Sequence, residues 1–349
     1  MKIAIDSGPL TSGHKIRGVG FYTKNLIASL GNKVNAVDVY SADLSKYDII
    51  HIPYFNPFVK SLPNNVEGKK LIVTIHDLIP LIYPERYSPG IRGKMMFFMQ
   101  KQILKKAAAI ITDCETSKKD IIRFIGVNPE KIHVVYLAQA THFKKLDKNQ
   151  VASVKKKYKL PDKFVLYVGD INYNKNIPNL VKACEIAKTT LVICGKQALD
   201  VEDLGNDLST LKGPRDWVRY LFGKPHPELA HYKELLKLFE KNKKVLRLGF
   251  VPDEDLVAIY NLATVYCQPS FYEGFGLPVL EAIACGSPVV ASQTQALVEI
   301  AEGAATFVNP RDPKSIADGF KHIIKNPKLP REYSWKKVAA QTMKVYEED

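Results

Sequence analysis

Two glutamates lie eight residues apart in a glycine-rich segment of the second half of the chain. Glu273 comes before Gly274-Phe275-Gly276, and Glu281 follows Pro278 in the apolar stretch beyond it. Glycine lets the backbone turn tightly and approach a ligand, and proline suits the first turn of a helix. Backbone amides at such a helix start favour an anion such as a diphosphate, and nearby carboxylates can accept hydrogen bonds from sugar hydroxyls. Either glutamate alone could be purely structural, but together they predict a binding site.

A second candidate segment runs from residue 167 to residue 176. Gly169 ends a strand-like apolar run there, and Lys175 lies in the loop that follows it. A lysine in this loop could bind a phosphate group, although most lysines in loops are only solvated charges. Taken alone, Lys175 therefore leaves both interpretations open.

Two further candidates lie in the first half of the chain. His76 follows the apolar run 71–75, and polar residues at the carboxyl end of a parallel strand face the ligand site of an open α/β sheet. The alternative is a histidine that caps the next turn. Gly18 and Gly20 follow Arg17 between the first predicted strand and the first predicted helix. A Gly-x-Gly pattern is weak evidence by itself, because an ordinary turn between strand and helix explains it equally well.

Short β-branched runs alternate with helical stretches along the whole chain, which is the pattern of parallel sheets covered by helices on both faces. We therefore predict two Rossmann-like, doubly wound α/β domains that face a central cleft. The predicted strands of the first half are 2–7, 37–41, 49–52, 71–76, 110–114 and 132–137. Those of the second half are 164–169, 191–195, 245–250, 264–268, 288–292 and 306–308.

The length of 349 residues exceeds what one hydrophobic core usually organises. A polar, lysine-rich stretch, 144–160, ends just before Pro161, so we place the first domain at 1–160 and the second at 161–328. The stretch 199–244 is long for a connection between two strands and has a helical pattern at 228–240. We interpret it as an insertion of unknown purpose.

Composition limits the class of protein. The chain is 46% hydrophobic and 25% charged, and it contains no apolar run of about 18 residues that could span a bilayer. The first residues lack the pattern of a signal peptide, so we expect a cytoplasmic protein. Its five cysteines are widely spaced, without a Cys-x-x-Cys pair. We expect them to be buried packing residues in a reducing compartment.

The net charge of +14 is concentrated in the first half of the chain. Residues 1–160 contain 26 Lys and Arg against 12 Asp and Glu, which accounts for the whole excess. Such asymmetry indicates an anionic surface as partner, either a phosphate-bearing membrane or a nucleic acid. General solubility is the alternative explanation.

Residues 91–107 read as a helix with two different faces. At about 100° per residue, one face collects apolar residues that we expect to pack on the domain, namely Ile91, Met95, Phe98, Met99 and Ile103. The opposite face would expose Phe97 and Leu104 beside Lys94, Lys101 and Lys105. A stripe of this kind suits an anionic membrane interface, unless it is only a solvated basic face.

The segment from Glu273 to Glu281, together with the apolar stretch 282–292, closely resembles the Glu-x7-Glu signature of the group 1 (family 4) retaining glycosyltransferases. The resemblance covers almost the whole chain, and the segment 71–85 resembles mannosyltransferase-like members. It implies the GT-B fold, a nucleoside-diphosphate-sugar donor held mainly by the second domain, and an acceptor that approaches from the first. It also implies that residues 329–349 include a helix that crosses back onto the first domain.

The same resemblance implies roles for the candidate residues. Glu273 would contact the donor sugar, and Glu281 the ribose. Lys175 would bind the diphosphate, although Asn174 stands where many members have an arginine. His76 would lie against the reacting sugar, so that Glu273, His76 and Lys175 form the catalytic set.

Backbone contacts to the donor would come from several further positions of the family pattern. Phe275, Gly276 and Leu277 would position sugar and phosphate. Val251, in a segment that resembles the family's base-binding loop, would contact the nucleotide. The remaining donor-binding positions are Gly18, Gly20 and Gly169.

The reaction implied by the resemblance moves a sugar to a hydroxyl with retention of the anomeric configuration. The acceptor would be a glycan or lipid-linked glycan in surface polysaccharide or glycolipid assembly. The protein would work on the inner face of the membrane, without nucleic acid. An epimerase or hydrolase of nucleotide sugars and a non-catalytic nucleotide-sugar-binding protein are the alternatives.

We expect no cofactor and no metal. The sequence Asp253-Glu254-Asp255 has the form of a metal-binding Asp-x-Asp motif. It follows Pro252 and precedes an apolar periodic stretch, so it reads as the acidic start of a helix.

Overall fold

The computed structural model describes residues 1–13, 18–63, 66, 68–207, 217, 218, 222, 226–325 and 327–348. The chain divides into two compact units. The first consists of Met1–Pro84, Pro89–Ala138 and Tyr333–Asp349, and the second of Glu85–Ser88 and Gln139–Glu332.

The first unit contains a six-stranded sheet in the order β2-β1-β3-β4-β5-β6, and the pairs formed by its described strands are parallel. Most of its strands are buried along their length, which explains why they read as continuous β-branched runs. The strands are β1 (Ile3–Asp6), β2 (Asn35–Val37), β3 (Ile49–Ile52), β4 (Lys70–Thr74), β5 (Ala109–Thr112) and β6 (Ile132–Val134). The helices up to β6 are α1 (Gly8–Thr11), α2 (Gly18–Leu30), α3 (Ile79–Ile82), α4 (Gly90–Lys106) and α5 (Glu115–Ile125).

The second unit also contains a six-stranded parallel sheet, in the order β12-β11-β10-β7-β8-β9. This is the strand order of the dinucleotide-binding fold, and the order reverses between β7 and β10. The strands are β7 (Phe164–Val168), β8 (Thr190–Cys194), β9 (Val245–Gly249), β10 (Val265–Gln268), β11 (Val289–Ser292) and β12 (Thr306–Val308). The helices are α6 (Lys148–Lys157), α7 (Ile177–Ile186), α8 (Val201–Asn206), α9 (Pro227–Lys241), α10 (Asp253–Leu262), α11 (Leu277–Ala284), α12 (Gln295–Ala301) and α13 (Pro313–Gly319).

The predicted α/β fold class is confirmed, and each predicted strand overlaps an observed one. The largest shift is at β2, which we predicted at 37–41. There Asp38 ends the strand, because its carboxylate accepts hydrogen bonds from the Tyr40 amide (3.0 Å) and the Ser41 hydroxyl (2.9 Å). A short polar side chain of this kind offers the backbone a turn in place of the strand ladder.

The second unit begins at Gln139, earlier than the boundary that we placed near residue 160. The stretch 144–160 belongs to the second unit, because its helix α6 packs on α10. The Asn261 side chain accepts a hydrogen bond from the Leu146 amide (2.9 Å) and donates one to the Lys144 carbonyl (2.9 Å). The lysine-rich composition reflects the exposed side of this helix.

The last helix, α14 (Trp335–Glu347), belongs to the first unit and packs on α2. Trp335 meets the Phe21 ring edge to face at 5.8 Å. The buried His51 ring bonds to the Tyr346 hydroxyl (2.7 Å) and, through its other nitrogen, to the Thr74 hydroxyl (2.8 Å). The end of the chain is therefore fixed to β3 and β4 by buried polar contacts.

The connection between β8 and β9 includes helices α8 and α9, which pack on each other. Helix α9 includes the helical pattern predicted at 228–240, and the His226 side chain caps its first turn by accepting from the Glu228 amide (3.3 Å). Residues 208–216, 219–221 and 223–225 of the predicted insertion lie outside the described part of the chain.

Helix α4 forms where the sequence predicted a helix, and Ile103 packs against the core as predicted, but the prediction of its faces was wrong for the other large apolar residues. Leu104 is fully buried and Phe97 packs against the core, whereas Ile91, Met95, Phe98 and Met99 are 79%, 62%, 66% and 54% exposed.

A polar residue and a glycine, which an analysis of hydrophobic periodicity does not take into account, determine which face of α4 packs on the domain. The buried Gln100 amide accepts from the Ser61 and Leu62 amides (2.8 and 3.1 Å) and donates to the Asn56 carbonyl (2.9 Å). Gly93 lies so close to the loop before the helix that a Cβ there would be 2.7 Å from Pro89. A buried amide with these bonds orients the helix more strongly than the apolar stripe does.

All five cysteines are free and buried, as the sequence predicted. Within the described ranges, no helix is both long and apolar enough to span a lipid bilayer.

Candidate active site

The candidate site of the second unit lies where its strand order reverses. The loops that follow β7 and β10 leave adjacent strands at their carboxyl ends, which is where open α/β sheets bind ligands. These loops carry the two segments singled out in the sequence. They bring Lys175 and Glu273 together, with the Lys175 ammonium 2.9 and 2.8 Å from the two carboxylate oxygens of Glu273.

Glu273 is held in one orientation by three side chains. It is only 6% exposed, and its Oε1 accepts from the Ser270 hydroxyl (2.5 Å) and the Gln268 amide (2.6 Å) as well as from Lys175. Hydrogen bonds to a charged acceptor are about twice as strong as neutral ones. The carboxylate is therefore held in one position and orientation.

Glu281 lies in α11 and is partly buried. Its Oε2 accepts a hydrogen bond from the Tyr260 hydroxyl (2.8 Å). Burial raises the pKa of Glu281 to about 7, and the bond from Tyr260 opposes this shift only in part. The Tyr260 ring lies 5.6 Å from that of Tyr266, whose hydroxyl donates to Gln268. A buried chain of contacts thus connects the surroundings of the two glutamates.

Asn174 is a structural residue in the loop after β7. Its side chain accepts from the Tyr87 hydroxyl (2.7 Å) and donates to the Tyr272 carbonyl (3.2 Å), while its carbonyl accepts from the Phe271 amide (2.7 Å). The residue is buried and clips the β7 and β10 loops together. It cannot replace the cation that an arginine would supply here.

The N-terminus of helix α11 points its positive dipole end toward the same loops. Gly276, the residue before the helix, has φ 113°, and a Cβ there would lie 2.7 Å from Leu297. Only glycine fits this conformation and this space. It is flanked by the buried Phe275 and by Leu277, the first residue of the helix.

Gly169 and Val251 occupy different parts of the sheet edge. Gly169 follows β7 with φ 139°, and its carbonyl would be 2.1 Å from a Cβ on Gly195, so the loops after β7 and β8 touch. The buried Val251 follows β9, which β8 separates from β7. Val251 is therefore two strands away from the strand that leads to Lys175.

In the first unit, His76 lies beyond the end of β4 and is oriented by Asp113. Its Nδ1 is 2.8 Å from an Asp113 carboxylate oxygen, and its Nε2 is 3.2 Å from the Pro53 carbonyl. Burial lowers the pKa of His76, but the charge and hydrogen bond of Asp113, together with smaller effects of Asp77 and the Pro53 carbonyl, raise the pKa overall. The turn after His76 is capped instead by Asp77, which accepts from the Ile79 amide (3.0 Å).

Gly18 and Gly20 are not in a loop, contrary to the sequence prediction. They form the first turn of α2, where Gly20 is buried and nothing lies within 4 Å of a Cβ on Gly18. A glycine loop before a helix requires special dihedral angles, whereas both residues adopt helical ones. Arg17, the preceding residue of the motif, lies outside the described part of the chain.

Comparison with known proteins supplies the family. The family model described as "Glycosyl transferases group 1" matches residues 148–337, which is more than half of the chain, and the model described as "Glycosyltransferase Family 4" matches residues 22–138. The chain belongs to the group 1 glycosyltransferases. It is therefore a glycosyltransferase, as its Glu-x7-Glu segment predicted.

Several bacterial relatives of this glycosyltransferase are mannosyltransferases. It is 28% identical to the O-antigen chain mannosyltransferase B of Escherichia coli over 82% of its own length and 71% of the relative. It is also 28% identical to a serotype-specific mannosyltransferase of Escherichia coli, but spans only 33% of that longer protein. The O-antigen chain mannosyltransferase RfbU of Salmonella typhimurium is 26% identical over 73% of this chain and 61% of its own.

Solved structures share the fold of this glycosyltransferase at low sequence identity. The Anabaena protein HepE, crystallised with UDP and glucose, superposes with a TM-score of 0.64 at 14% identity, over 99% of this chain and 95% of HepE. A glycosyltransferase from Rickettsia africae superposes with a TM-score of 0.57 at 16% identity, over 99% and 93% of the two chains. These similarities establish the GT-B fold.

Four residues that bond to the candidate site residues were not predicted from the sequence: Gln268, Ser270, Tyr260 and Asp113. Gln268 and Asp113 had a usable signal, because each is a polar residue at the carboxyl end of a buried, predicted strand. Ser270 and Tyr260 had none, since their roles depend on the carboxylates that they contact.

The sequence Asp253-Glu254-Asp255 forms the acidic first turn of α10, as predicted. Asp255 pairs with Lys157 (2.6 Å) and accepts from the Tyr158 hydroxyl (2.8 Å), so it joins α10 to α6. Among the described residues, no cluster of three or more His, Cys, Asp or Glu could hold a metal ion.

Proposed function

We propose that this glycosyltransferase takes its sugar from a nucleoside-diphosphate sugar bound by the second unit. The observation that carries the proposal is the Lys175–Glu273 pair at the strand-order reversal, beside the N-terminus of α11. A cation, a helix dipole and oriented carboxylates together match a ligand that has a diphosphate and hydroxyl groups. A UDP-glucose complex of the structural neighbour HepE supports the same donor class.

In this proposal, each charged residue meets one part of the donor. Lys175 and the α11 amides stabilise the negative charge that develops on the departing diphosphate, so no metal cofactor is required. Glu281 accepts hydrogen bonds from the ribose, and Glu273 from the sugar. His76 contacts the reacting sugar.

We further propose that the reaction retains the anomeric configuration by displacement on one face of the sugar. The bond from the anomeric carbon to the diphosphate oxygen breaks, the bond to the acceptor oxygen forms on the same face, and the acceptor proton moves to the leaving diphosphate. The bonds of Glu273 support this route, because Lys175, Ser270 and Gln268 already fix its carboxylate.

The proposed acceptor is a glycan or lipid-linked glycan in surface polysaccharide or glycolipid assembly, and the proposed location is the inner face of the membrane. The names of the bacterial relatives, which include O-antigen chain mannosyltransferases, support the acceptor class and favour mannose as the sugar. The positive excess of residues 1–160 supports an anionic surface nearby.

The donor site can be tested by calorimetry with a panel of nucleoside-diphosphate hexoses. We expect Lys175→Ala to weaken binding of the cognate donor about 10- to 100-fold, because a hydrogen bond to a charged group contributes about 1.5–3 kcal/mol. The matched control is Lys182→Ala, which removes a lysine of the same unit from an exposed pair with Glu234. We expect the control to bind as tightly as the parent.

Equal donor affinity of the parent and the Lys175→Ala variant would refute the proposed site. An equal loss in both lysine variants would also refute it, because the effect would then follow net charge and not position.

A further inference from the structure

The outward face of helix α4 presents four large apolar side chains to solvent: Ile91, Met95, Phe98 and Met99. They recur at intervals of three and four residues, so they form one stripe along the helix. Single exposed apolar residues are normal on protein surfaces, but a contiguous stripe of four indicates an interaction site.

Basic residues border this stripe on both sides. At 100° per residue, Lys94 and Lys105 lie along one edge and Arg92 along the other, while Lys106 follows the stripe at the C-terminal end of the helix. The helix contains no aspartate or glutamate. An apolar stripe between two basic edges is the pattern of a helix that lies in the interface of an anionic bilayer.

A groove beside the C-terminal part of α4 extends the basic edge. It has a volume of about 280 Å³, and the Lys69 and Lys106 side chains line it together with Ile103 and Val66. Lysine side chains beside aliphatic ones match a lipid headgroup phosphate and the start of its acyl chain.

We propose that the stripe Ile91, Met95, Phe98 and Met99 inserts into the headgroup region of an anionic membrane, with the flanking bases on the lipid phosphates. The apolar face of such helices is buried about 5–10 Å into the boundary between headgroups and acyl chains. Large side chains that project from successive turns of α4 can reach this depth. The surface opposite to the one expected from periodicity therefore makes the contact.

A second copy of the chain fits this face less well. Two copies related by a two-fold axis would place the same surface on both sides of the interface. The four flanking bases of one copy would then face those of the other without an acidic residue of α4 between them, and such like-charge contacts are unfavourable. Anionic lipid supplies the complementary charge that a second copy lacks.

The proposal rests on the proposed function for its biological sense, since lipid-linked acceptors reside in membranes. Its test does not. Vesicle binding is measured without donor or acceptor, and transfer to a water-soluble glycan is measured without vesicles. Failure of one assay therefore leaves the other informative.

The experiment is co-sedimentation of the full chain with vesicles of phosphatidylglycerol and phosphatidylcholine at equal amounts, and with phosphatidylcholine alone. We expect the parent to pellet with the anionic vesicles, and less at 0.5 M salt, because salt screens the lysines. Met95→Ser with Phe98→Ser should lower the partition coefficient at least tenfold. Lys94→Gln with Lys105→Gln should weaken binding to the anionic vesicles selectively.

The matched control replaces two exposed apolar residues elsewhere, Tyr40→Ser with Ile186→Ser, which are 54% and 50% exposed. We expect it to pellet like the parent. Because the substituted residues of α4 are exposed, all variants should keep the parental melting temperature and transfer rate to a soluble glycan. Equal pelleting of the parent and the Met95→Ser/Phe98→Ser variant, or no pelleting of the parent, would overturn the proposal. So would a parental dimer in sedimentation velocity that this variant converts to a monomer.

Discussion

At the scale of single residues, Glu281 is the group whose ionisation should be visible in donor binding. Burial raises its pKa to about 7, so the carboxyl is largely protonated at pH 6 and largely ionised at pH 8. A protonated carboxyl offers fewer acceptor positions to the ribose hydroxyls that we propose it binds. Donor affinity should therefore rise with pH across this window.

We predict that the dissociation constant for the donor falls by up to tenfold per unit between pH 6 and pH 7 and levels off above the pKa. In the Glu281→Gln variant, binding should be weaker and nearly independent of pH in this window. Calorimetry at pH 6, 7 and 8 measures both slopes. Identical slopes in parent and variant would show that another group titrates and that Glu281 does not contact the donor.

Residues of the candidate site differ in how far the sequence could predict them. Lys175 and Glu273 each belong to a separate local sequence pattern. The structure brings the two side chains within hydrogen-bonding distance. Asn174 was recognised as a departure, but its role as a clip depends on Tyr87 and Tyr272, which are distant in sequence. Contacts of that kind form only when separate loops meet, so a local motif cannot reveal them.

At the scale of elements, helix α14 is attached to the first unit through a buried histidine. Burial, aided by the nearby charge of His76, lowers the pKa of His51 to about 3. In the unfolded chain a histidine binds a proton near pH 6.5, so between about pH 6.5 and pH 3 the unfolded state binds one more proton at His51 than the folded state does. Stability is therefore lost as the pH falls through this range.

We predict that this histidine makes the free energy of unfolding fall by about 1.4 kcal/mol per pH unit below pH 6, and that His51→Gln removes this contribution. Urea unfolding at pH 6, 5 and 4 tests it. Trp335 fluorescence in a Trp217→Phe background reports on the first unit, because Trp335 begins α14 and packs on Phe21 of α2. An equal slope in the parent and His51→Gln would contradict the prediction.

Helix α4 shows why an element can be predicted while its orientation is not. The apolar spacing identified the helix, since both candidate faces have helical periodicity. The choice between the faces depends on Gln100, whose amide satisfies backbone groups of the loop at residues 56–62, and on the close approach at Gly93. Hydrophobicity alone favours the stripe that the structure exposes, and that inversion is what indicates an external apolar partner.

At the scale of the whole molecule, two doubly wound units were predictable, but their strand orders and limits were not. Alternating strands and helices specify a parallel sheet, whereas the order in the sheet depends on packing between elements far apart in sequence. The start of the second unit at Gln139 follows from the α6–α10 contact, which composition does not encode. The reversal between β7 and β10 then places the donor-site candidates on neighbouring loops.

The central claim is retaining transfer of a sugar from a nucleoside-diphosphate sugar, and product analysis tests it most directly. The full chain is incubated with a panel of nucleoside-diphosphate hexoses and glycan acceptors in excess chelator, and NMR determines the anomeric configuration of the product. We predict a new glycosidic bond with the configuration of the donor, at least 100-fold slower formation by Glu273→Gln, and parental rates for Lys182→Ala. An inverted product, an epimerised or merely hydrolysed sugar, or activity that appears only when divalent metal is restored would contradict the account.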